Sequence, residues 1–245
     1  MHTDQIVARG IEPCLEHLHS KQAQALQRVT NAGLLGGTVT LSSLADSLGS
    51  SSQFRHRRKS VDRLLGNEAL HARRHAMYRA LAACWLKGLD KVLLVIDWSD
   101  LTADQRWQWL RASVVVDGRS VTLYEEVHPQ ERYSHPEVHE QFLQQVAKVL
   151  PPGCHVIVMT DAGFRAKWLQ AVARLGWSFI GRIRNLDKVQ LPDQAQWIEG
   201  KALYRLAGRV AQDFGDCLLV RARAEPVRLV LAKTASKGRH RSKPR

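Results

Sequence analysis

Two aspartates occupy the same local context and could act together. Asp97 closes the run Lys91-Val-Leu-Leu-Val-Ile-Asp97, and Asp161 closes the run His155-Val-Ile-Val-Met-Thr-Asp161. Consecutive apolar residues rich in Val and Ile are typical of strands buried on both faces of a helix-covered sheet. Reaction sites of open α/β sheets lie at strand ends, and paired carboxylates supply the oxygen ligands of a hard cation such as Mg²⁺. We therefore predict a two-carboxylate metal site, with the alternative that each aspartate only caps the following turn.

The segments between and after these runs predict a mixed α/β sheet. Asp117-Gly118 lies between two strand-like runs and indicates a two-residue hairpin, so we interpret Asp117 as a turn residue rather than a third acid. A helix begins at Pro136 and ends before Pro151-Pro152-Gly153. The second aspartate run, another helix and a strand over 178–184 follow. The order of strand, hairpin, helix, strand, helix and strand predicts an α/β layer architecture.

Residues 1–89 have the spacing of helices. The apolar positions predict a first helix that ends at Gly33 with Gly36-Gly37, a short helix behind Thr40, and a longer helix over 70–85. A basic turn over 50–59 precedes another short helix over 60–66. Two short helices around a basic turn indicate a helix-turn-helix-like unit that could enter a major groove; a small helical bundle with a solvated basic loop is the alternative. The candidate DNA contacts here are Arg55, Arg57, Arg58, Lys59 and Arg63.

The charge of the chain points to a polyanionic partner. A formal net charge of +13 favours nucleic acid, although an unrelated basic enzyme would show the same charge. Arg182 and Arg184 alternate onto one face of the predicted strand over 178–184. They could hold DNA phosphates, or form an edge-strand charge pair.

The cysteines and the apolar runs argue against other classes of protein. Cys14, Cys84, Cys154 and Cys217 are scattered without a Cys-x-x-Cys pair, which argues against a zinc site or a disulfide framework and predicts reduced core residues. No apolar run approaches the roughly 18 residues of a membrane span, and the N-terminus lacks the pattern of a secretory signal. We expect a soluble, cytoplasmic protein that does not bind membranes.

Two pairs of histidines have a spacing that can bind metal. His71 and His75 are four residues apart, and so are His135 and His139, with Glu140 beside them. Neither pair has an evident third ligand. We therefore predict that both lie on solvated helix faces.

Further motifs extend over nearly the whole chain. They are Val61-Asp-Arg-Leu-Leu-Gly-Asn67, Ile96-Asp-Trp-Ser-Asp-Leu101, Thr160-Asp-Ala-Gly-Phe164, Trp168, Gly176-Trp177, Phe179 and Gly181-Arg-Ile-Arg184. In this order and spacing they resemble the DDE transposases of the bacterial insertion-sequence-four family. The resemblance implies a ribonuclease-H-like core over 90–185, preceded by a helical region over 1–89 that binds the DNA ends of the element. It also implies a β-rich insertion, present here in part over 186–245 with a basic tail.

The resemblance also implies the chemistry. Asp97 and Asp161 match the first and second catalytic acids of the family, which hold two Mg²⁺ or Mn²⁺ ions for in-line displacement at a phosphodiester. The partner would be double-stranded DNA at transposon ends and target sites, bound by a homodimer. The family's third acid lies in a motif of Tyr, two residues, Arg, three residues, Glu, six residues and Lys, and no tyrosine here starts that pattern.

The missing motif leaves three hypotheses open. From residue 190 onward the chain has strand-like runs over 202–206, 217–221 and 227–232, then a basic tail over 236–245. The first hypothesis is a truncated or frameshifted transposase that is inactive alone. The second is a non-catalytic DNA-binding protein or inhibitor of transposition. The third is an unrelated two-carboxylate nuclease that uses Glu199 or Glu225.

Overall fold

The chain folds into two compact units. The structure is a computed structural model that describes residues 3–16 and 18–233. Unit 1 comprises the described residues up to Met159 together with Ala171–Phe179, and unit 2 comprises Thr160–Gln170 with the described residues from Ile180 onward. The predicted domain boundaries after residues 89 and 185 do not coincide with these units and stay predictions. The predicted basic tail over 236–245 lies outside the described residues.

Six described helices precede the first strand. They are α1 (Thr3–Leu15), α2 (Ser20–Gly36), α3 (Leu41–Asp46), α4 (Phe54–Leu65), α5 (Glu68–Ala72) and α6 (Arg74–Trp85). The predicted first helix is in fact α1 and α2, because the His19 side chain caps a new helix by accepting from the Lys21 N–H. The predicted longer helix over 70–85 is likewise α5 and α6. The predicted end is confirmed for Gly36-Gly37, since Gly37 has the left-handed conformation of a helix C-terminus, but Gly33 lies inside α2.

The basic residues that were predicted to form a turn lie on helix α4. The helix begins at Phe54, so 55–59 belong to its first turns, and the connection from α3 covers only 47–53. Val61 of α4 is fully buried against Leu44 and Ala45 of α3. The prediction of a turn was wrong because the apolar periodicity of this helix starts only at Val61, after a run of basic side chains.

The central sheet has five strands. They are β1 (Lys91–Asp100), β2 (Trp107–Val116), β3 (Arg119–Pro129), β4 (His155–Thr160) and β5 (Ser178–Gly181). Their order is β3-β2-β1-β4-β5, with β2 antiparallel to both β1 and β3, and β1 parallel to β4. Asp117 and Gly118 have φ values of 49° and 76°, as a type I′ hairpin turn requires. The interpretation of Asp117 as a turn residue is confirmed.

Strand β1 is covered unequally on its two faces. Val92, Leu94 and Ile96 are at most 2% exposed, whereas Leu93 on the opposite face is 37% exposed. The prediction that this run is buried on both faces is therefore wrong for β1. The unbroken apolar run concealed the difference, because alternate side chains of a strand point to opposite faces whatever their type.

Helix α7 (Pro136–Val149) covers part of the sheet in unit 1, and α8 (Ala166–Arg174) follows β4. Phe142 of α7 is fully buried, and its ring centroid lies 5.5 Å from that of Tyr124 on β3. Tyr78 of α6 packs edge-on against the same tyrosine at 5.2 Å. The predicted helix start at Pro136 is confirmed. None of the described helices is long and apolar enough to cross a membrane.

Unit 2 contains a second sheet of four strands. They are β6 (Lys188–Gln190), β7 (Trp197–Glu199), β8 (Gln212–Leu219) and β9 (Glu225–Leu231), in the order β7-β6-β8-β9. The runs from Cys217 and from Val227 were predicted as strands and fall in β8 and β9. The run over 202–206 was also predicted as a strand, but it falls mainly in the 3₁₀ helix Gly200–Arg205. Only Leu203 of this run is buried. A single buried side chain produces no alternation, so the run lacks the periodicity that would distinguish a strand from a 3₁₀ helix.

The described cysteines are all free. Cys14 and Cys217 are buried, but Cys84 is exposed and Cys154 is half-buried. Burial raises the pKa of the Cys14 thiol to about 11. The prediction of core cysteines holds for two of the four.

Candidate active site

Asp97 is held within a paired strand. Strand β1 continues to Asp100, and Asp97 pairs with Arg111 of β2. The prediction that Asp97 ends its strand is thus wrong, because the chain stays extended through Trp98 and Ser99. Asp97 is exposed while Ile96 before it is fully buried. The pleat therefore turns the carboxylate away from the buried face that holds the strand in place.

The residue after Asp97 is anchored by a buried histidine. The Trp98 indole Nε1 donates a hydrogen bond to Nε2 of His139 at 2.9 Å, and the Trp98 ring packs edge-on against Tyr133 and His128. His139 is 5% exposed, so the prediction of a solvated helix face is wrong for it. Burial, with smaller contributions from His128 and His135, lowers the pKa of His139 to about 4. The neutral ring accepts from the indole and fixes β1 next to Asp97.

The other histidine pair also has structural partners. A ring nitrogen of His71, Nε2, lies 2.6 Å from the Leu65 carbonyl oxygen, and the half-buried His75 ring stacks on Tyr124 at 5.2 Å. The prediction of solvation is therefore wrong for His75 as well. Among residues 3–16 and 18–233, no group of three or more histidine, cysteine, aspartate or glutamate side chains could hold a metal ion.

Beyond Asp97, the end of β1 is fixed by a polar network. The Asp100 carboxylate accepts hydrogen bonds from the side-chain amides of Gln105 and Gln108, each at 2.9 Å. These bonds lower the pKa of Asp100. Gln108 is only 3% exposed and also donates to Oε1 of Gln130 at 2.6 Å. No local pattern predicts this network, because its members are separated by a loop and a hairpin.

Asp161 lies in unit 2, directly after β4, as predicted. The Gly163 N–H donates to Oδ1 of Asp161 at 2.7 Å, which folds 161–163 into a tight turn. A Cβ atom at position 163 would lie 2.8 Å from the same oxygen. Glycine is therefore the residue that leaves room for the Asp161 carboxylate.

The two aspartates follow their paired strand residues by the same number of positions. In this parallel pair, Val95 lies opposite Met159. Asp97 follows Val95 by two residues, and Asp161 follows Met159 by two residues. Carboxylate oxygens have the donor chemistry that Mg²⁺ and Mn²⁺ prefer.

The basic residues of helix α4 divide into two groups. Four are exposed, namely Arg55, Arg58, Lys59 and Arg63. The Arg57 side chain is 18% exposed, and its guanidinium donates to the carbonyl oxygens of Ala45 at 2.9 Å, Ser50 at 3.2 Å and Ser52 at 2.6 Å. Arg57 thus ties α4 to α3 and to the connection over 47–53, while the four exposed residues form a basic outer face.

Arg182 and Arg184 are both exposed but have different surroundings. Strand β5 ends at Gly181, so the prediction that both arginines lie on one strand is wrong. The Arg184 guanidinium donates through Nε to the carbonyl oxygen of Ala162, and through Nη2 to that of Gly163 at 3.5 Å. DNA binding by any of these basic residues stays a prediction.

Comparison with known proteins places this fold and these residues in a family. A family model described as the transposase DDE domain matches residues 88–231, which is more than half of the chain and includes Asp97 and Asp161. No curated protein and no solved structure gave a significant match. The mixed sheet with its helices confirms the predicted ribonuclease-H-like α/β class. The chain therefore belongs to the DDE transposase family.

Proposed function

We propose that the chain is a transposase of the insertion-sequence-four type in which Asp97 and Asp161 are metal-ligating catalytic acids. The observation that carries this proposal is their equivalent position, two residues beyond the paired Val95 and Met159, within the matched family region. DNA is the partner that a transposase domain implies, and the family in general uses divalent ions. We propose Mg²⁺ or Mn²⁺, with two ions in the complete site.

The residues of the chain would serve the reaction by fixing geometry. Bound divalent ions supply activation of the attacking hydroxyl and charge stabilisation at the phosphodiester. Asp97 gains rigidity from the pairing of β1 with β2 and from the Trp98–His139 hydrogen bond beside it. The bond from the Gly163 N–H holds one oxygen of Asp161, so the second oxygen has a defined direction. Such fixed ligands avoid the cost of reorganisation when the transition state forms.

We propose further that a third carboxylate comes from outside the described residues. Two observations support this: the helical Tyr, Arg, Glu and Lys motif has no counterpart in the sequence, and no three suitable ligands group together in residues 3–16 and 18–233. Without a third carboxylate the metal site would lack a ligand, and we expect DNA binding without cleavage. Sequencing the genomic DNA beyond the Arg245 codon, with translation in all three frames, tests the idea. A frame that encodes the motif supports it, and its absence from every frame contradicts it.

The DNA-binding surface we propose is the outer face of α4, together with Arg182. Arg55, Arg58, Lys59 and Arg63 are exposed on this helix, and each phosphate contact contributes a slope of about −0.9 to the dependence of binding on log salt. Changing these four residues to Gln should weaken binding to element-end duplex and flatten the salt dependence. Changing Lys87, Lys91, Arg119 and Arg132 to Gln alters the net charge equally and is the control. Equal effects of the two sets would contradict the assignment to α4.

We include two further features that the resemblance implies: a homodimer on the paired DNA ends, and action in the cytoplasm. Sedimentation of the chain with element-end duplex should show two copies for two duplexes. One chain per duplex at all concentrations would contradict the dimer.

A non-catalytic DNA-binding protein or inhibitor of transposition is the second candidate. The incomplete ligand set among the described residues favours it, and failure to find the missing motif downstream would make it the better account. A nuclease that uses Glu199 or Glu225 gains no support. Glu199 is bound by Lys188 at 3.2 Å and by Lys201 at 2.8 Å, and Glu225 accepts from Gln170.

A further inference from the structure

The loop that carries Asp161 is held from outside by one arginine. Besides the bond from the Gly163 N–H to Asp161, the loop has two carbonyl oxygens, of Ala162 and Gly163, that accept from the Arg184 guanidinium. All four residues belong to unit 2. The same short loop is thus fixed on its N–H side by the aspartate itself and on its carbonyl side by Arg184.

The base of Arg184 is itself fixed. Its backbone N–H donates to Oδ2 of Asp187 at 2.7 Å, and the Asp187 N–H donates back to the Arg184 carbonyl at 3.1 Å. Gly200 lies so close that a Cβ atom there would be 2.5 Å from the Arg184 carbonyl oxygen. The Gly200 N–H bonds the Asp187 carbonyl at 2.8 Å, and the Tyr204 hydroxyl donates to Asn185. The turn over 184–187 is therefore a firm support for a long side chain.

Arginine suits this task better than lysine. Its planar guanidinium presents several N–H groups at fixed angles, so it can bond two adjacent carbonyl oxygens at once, whereas an ammonium is a point donor on a flexible stem. Two bonds from one rigid group define the orientation of the peptide planes over 162–163. The orientation of those planes sets the direction of the N–H that holds Asp161.

We propose that Arg184 is a positioning residue that keeps the Asp161 carboxylate in its metal-binding orientation, rather than a contact to DNA phosphate. This inference rests on the proposed function, since it assumes that Asp161 binds a divalent ion. It assigns Arg182 and Arg184 to different tasks although they are two residues apart and both exposed.

A positioning role and a purely electrostatic role of Arg184 predict opposite changes in metal affinity. A positive charge near a metal-binding carboxylate disfavours the metal, so removing the charge of Arg184 would strengthen cation binding if charge were its only effect. Loss of positioning acts the other way, because partners that orient metal ligands typically contribute roughly tenfold or more in affinity. The direction of the change in affinity therefore separates the two roles.

The experiment uses the full chain, Mn²⁺ as the probe and three variants. Arg184→Met removes the donors and the charge, Arg184→Lys keeps the charge, and Arg221→Met removes the charge of an exposed arginine elsewhere in unit 2. Mn²⁺ affinity is read from paramagnetic broadening of the Gly163 and Phe164 amide signals. Hydrogen exchange of the Gly163 amide, in the absence of metal, reports the loop itself.

Both Arg184 variants should weaken Mn²⁺ binding, by roughly tenfold for Met, and speed exchange of the Gly163 amide by about fivefold, as for one lost hydrogen bond. Arg221→Met should change neither quantity. Unchanged or tighter Mn²⁺ binding by Arg184→Met overturns the inference and leaves the proposed metal site standing. If the unsubstituted chain shows no Mn²⁺ broadening near Asp161, the proposed metal site fails, and the positioning role fails with it.

Discussion

Replacing Arg57 with methionine should destabilise the helical region, although Arg57 belongs to a basic run that suggests DNA contact. In the unsubstituted chain the Arg57 guanidinium lies over the Phe54 ring, 5.8 Å from its centroid. Methionine keeps an unbranched apolar side chain beside Phe54 and removes only the donors and the charge. Arg58→Met removes the same chemistry from an exposed position on the next residue. The pair of variants separates a structural arginine from a surface one at constant net charge.

The expected loss of unfolding free energy follows from the hydrogen bonds that Arg57→Met removes. The carbonyl oxygens of Ala45, Ser50 and Ser52 each lose their donor. Hydrogen bonds to a charged group contribute about 1.5–3 kcal/mol each when shielded from water. Ser52 is exposed and Ser50 is half-buried, so water replaces part of what their carbonyls lose. Ala45 is fully buried, and its bond accounts for most of the loss. We expect roughly 2–3 kcal/mol for Arg57→Met, and within about 0.5 kcal/mol of zero for Arg58→Met.

Urea unfolding followed by far-ultraviolet circular dichroism measures the stability, and a salt titration of duplex binding measures the DNA contacts. Arg58→Met should lower the salt slope by about 1 without changing the unfolding midpoint. Arg57→Met should shift the midpoint, and in conditions where it is folded its salt slope should match that of the unsubstituted chain. A stable Arg57→Met variant that loses one unit of salt slope would refute the structural role of Arg57.

Three further predictions concern the candidate site and its supports. Gly163→Ala places a Cβ atom 2.8 Å from Oδ1 of Asp161. The affinity for Mn²⁺, measured by calorimetry, should therefore fall markedly, while the urea unfolding midpoint changes little. An unchanged affinity for Mn²⁺ would contradict the close fit. Gly200→Ala brings a Cβ atom within 2.5 Å of the Arg184 carbonyl oxygen and so disturbs the turn over 184–187. The rate of amide hydrogen exchange in this turn should rise in Gly200→Ala and stay unchanged in Ala202→Gly. His139 has a folded-state pKa near 4, below its unfolded value, so only the unfolded chain gains a proton as the pH falls below about 6.5. From about pH 7.5 to about pH 5.5 this should cost roughly 1 kcal/mol of stability. The loss over this range should be smaller by that amount in His139→Gln, and an equal loss in that variant would contradict the buried neutral ring.

Regular local patterns were the predictable part of this protein. The two aspartate runs, the Asp117-Gly118 turn and the start of α7 at Pro136 each depend on residues adjacent in sequence, and all were found. The burial of His139 could also have been predicted from the sequence. Phe142, Leu143 and Val146 follow it at helical spacing and share its buried face. The prediction of a solvated face gave the polar type of one residue more weight than the apolar stripe around it.

Roles that depend on distant backbone could not be predicted. Arg57 and Arg184 stand in basic stretches that look alike in sequence, yet each guanidinium donates to carbonyl oxygens that only the folded chain brings near. Gln108 is buried by a network with Asp100 and Gln130, which lie in other elements. A side chain that bonds backbone leaves no pattern in the partner's sequence, because every residue type carries a carbonyl group.

Amide broadening by millimolar Mn²⁺ tests whether Asp97 and Asp161 bind the same metal ion. It is measured in the full chain and in Asp97→Asn, Asp161→Asn and Asp104→Asn variants. In the unsubstituted chain the signals of Trp98 and Gly163 should broaden together. Each of the first two substitutions should abolish or strongly reduce the effect at both signals, because each removes a carboxylate ligand, and Asp104→Asn should leave it intact. Broadening that survives in Asp97→Asn and Asp161→Asn, or that affects only one of the two signals, would contradict a shared metal site of these aspartates.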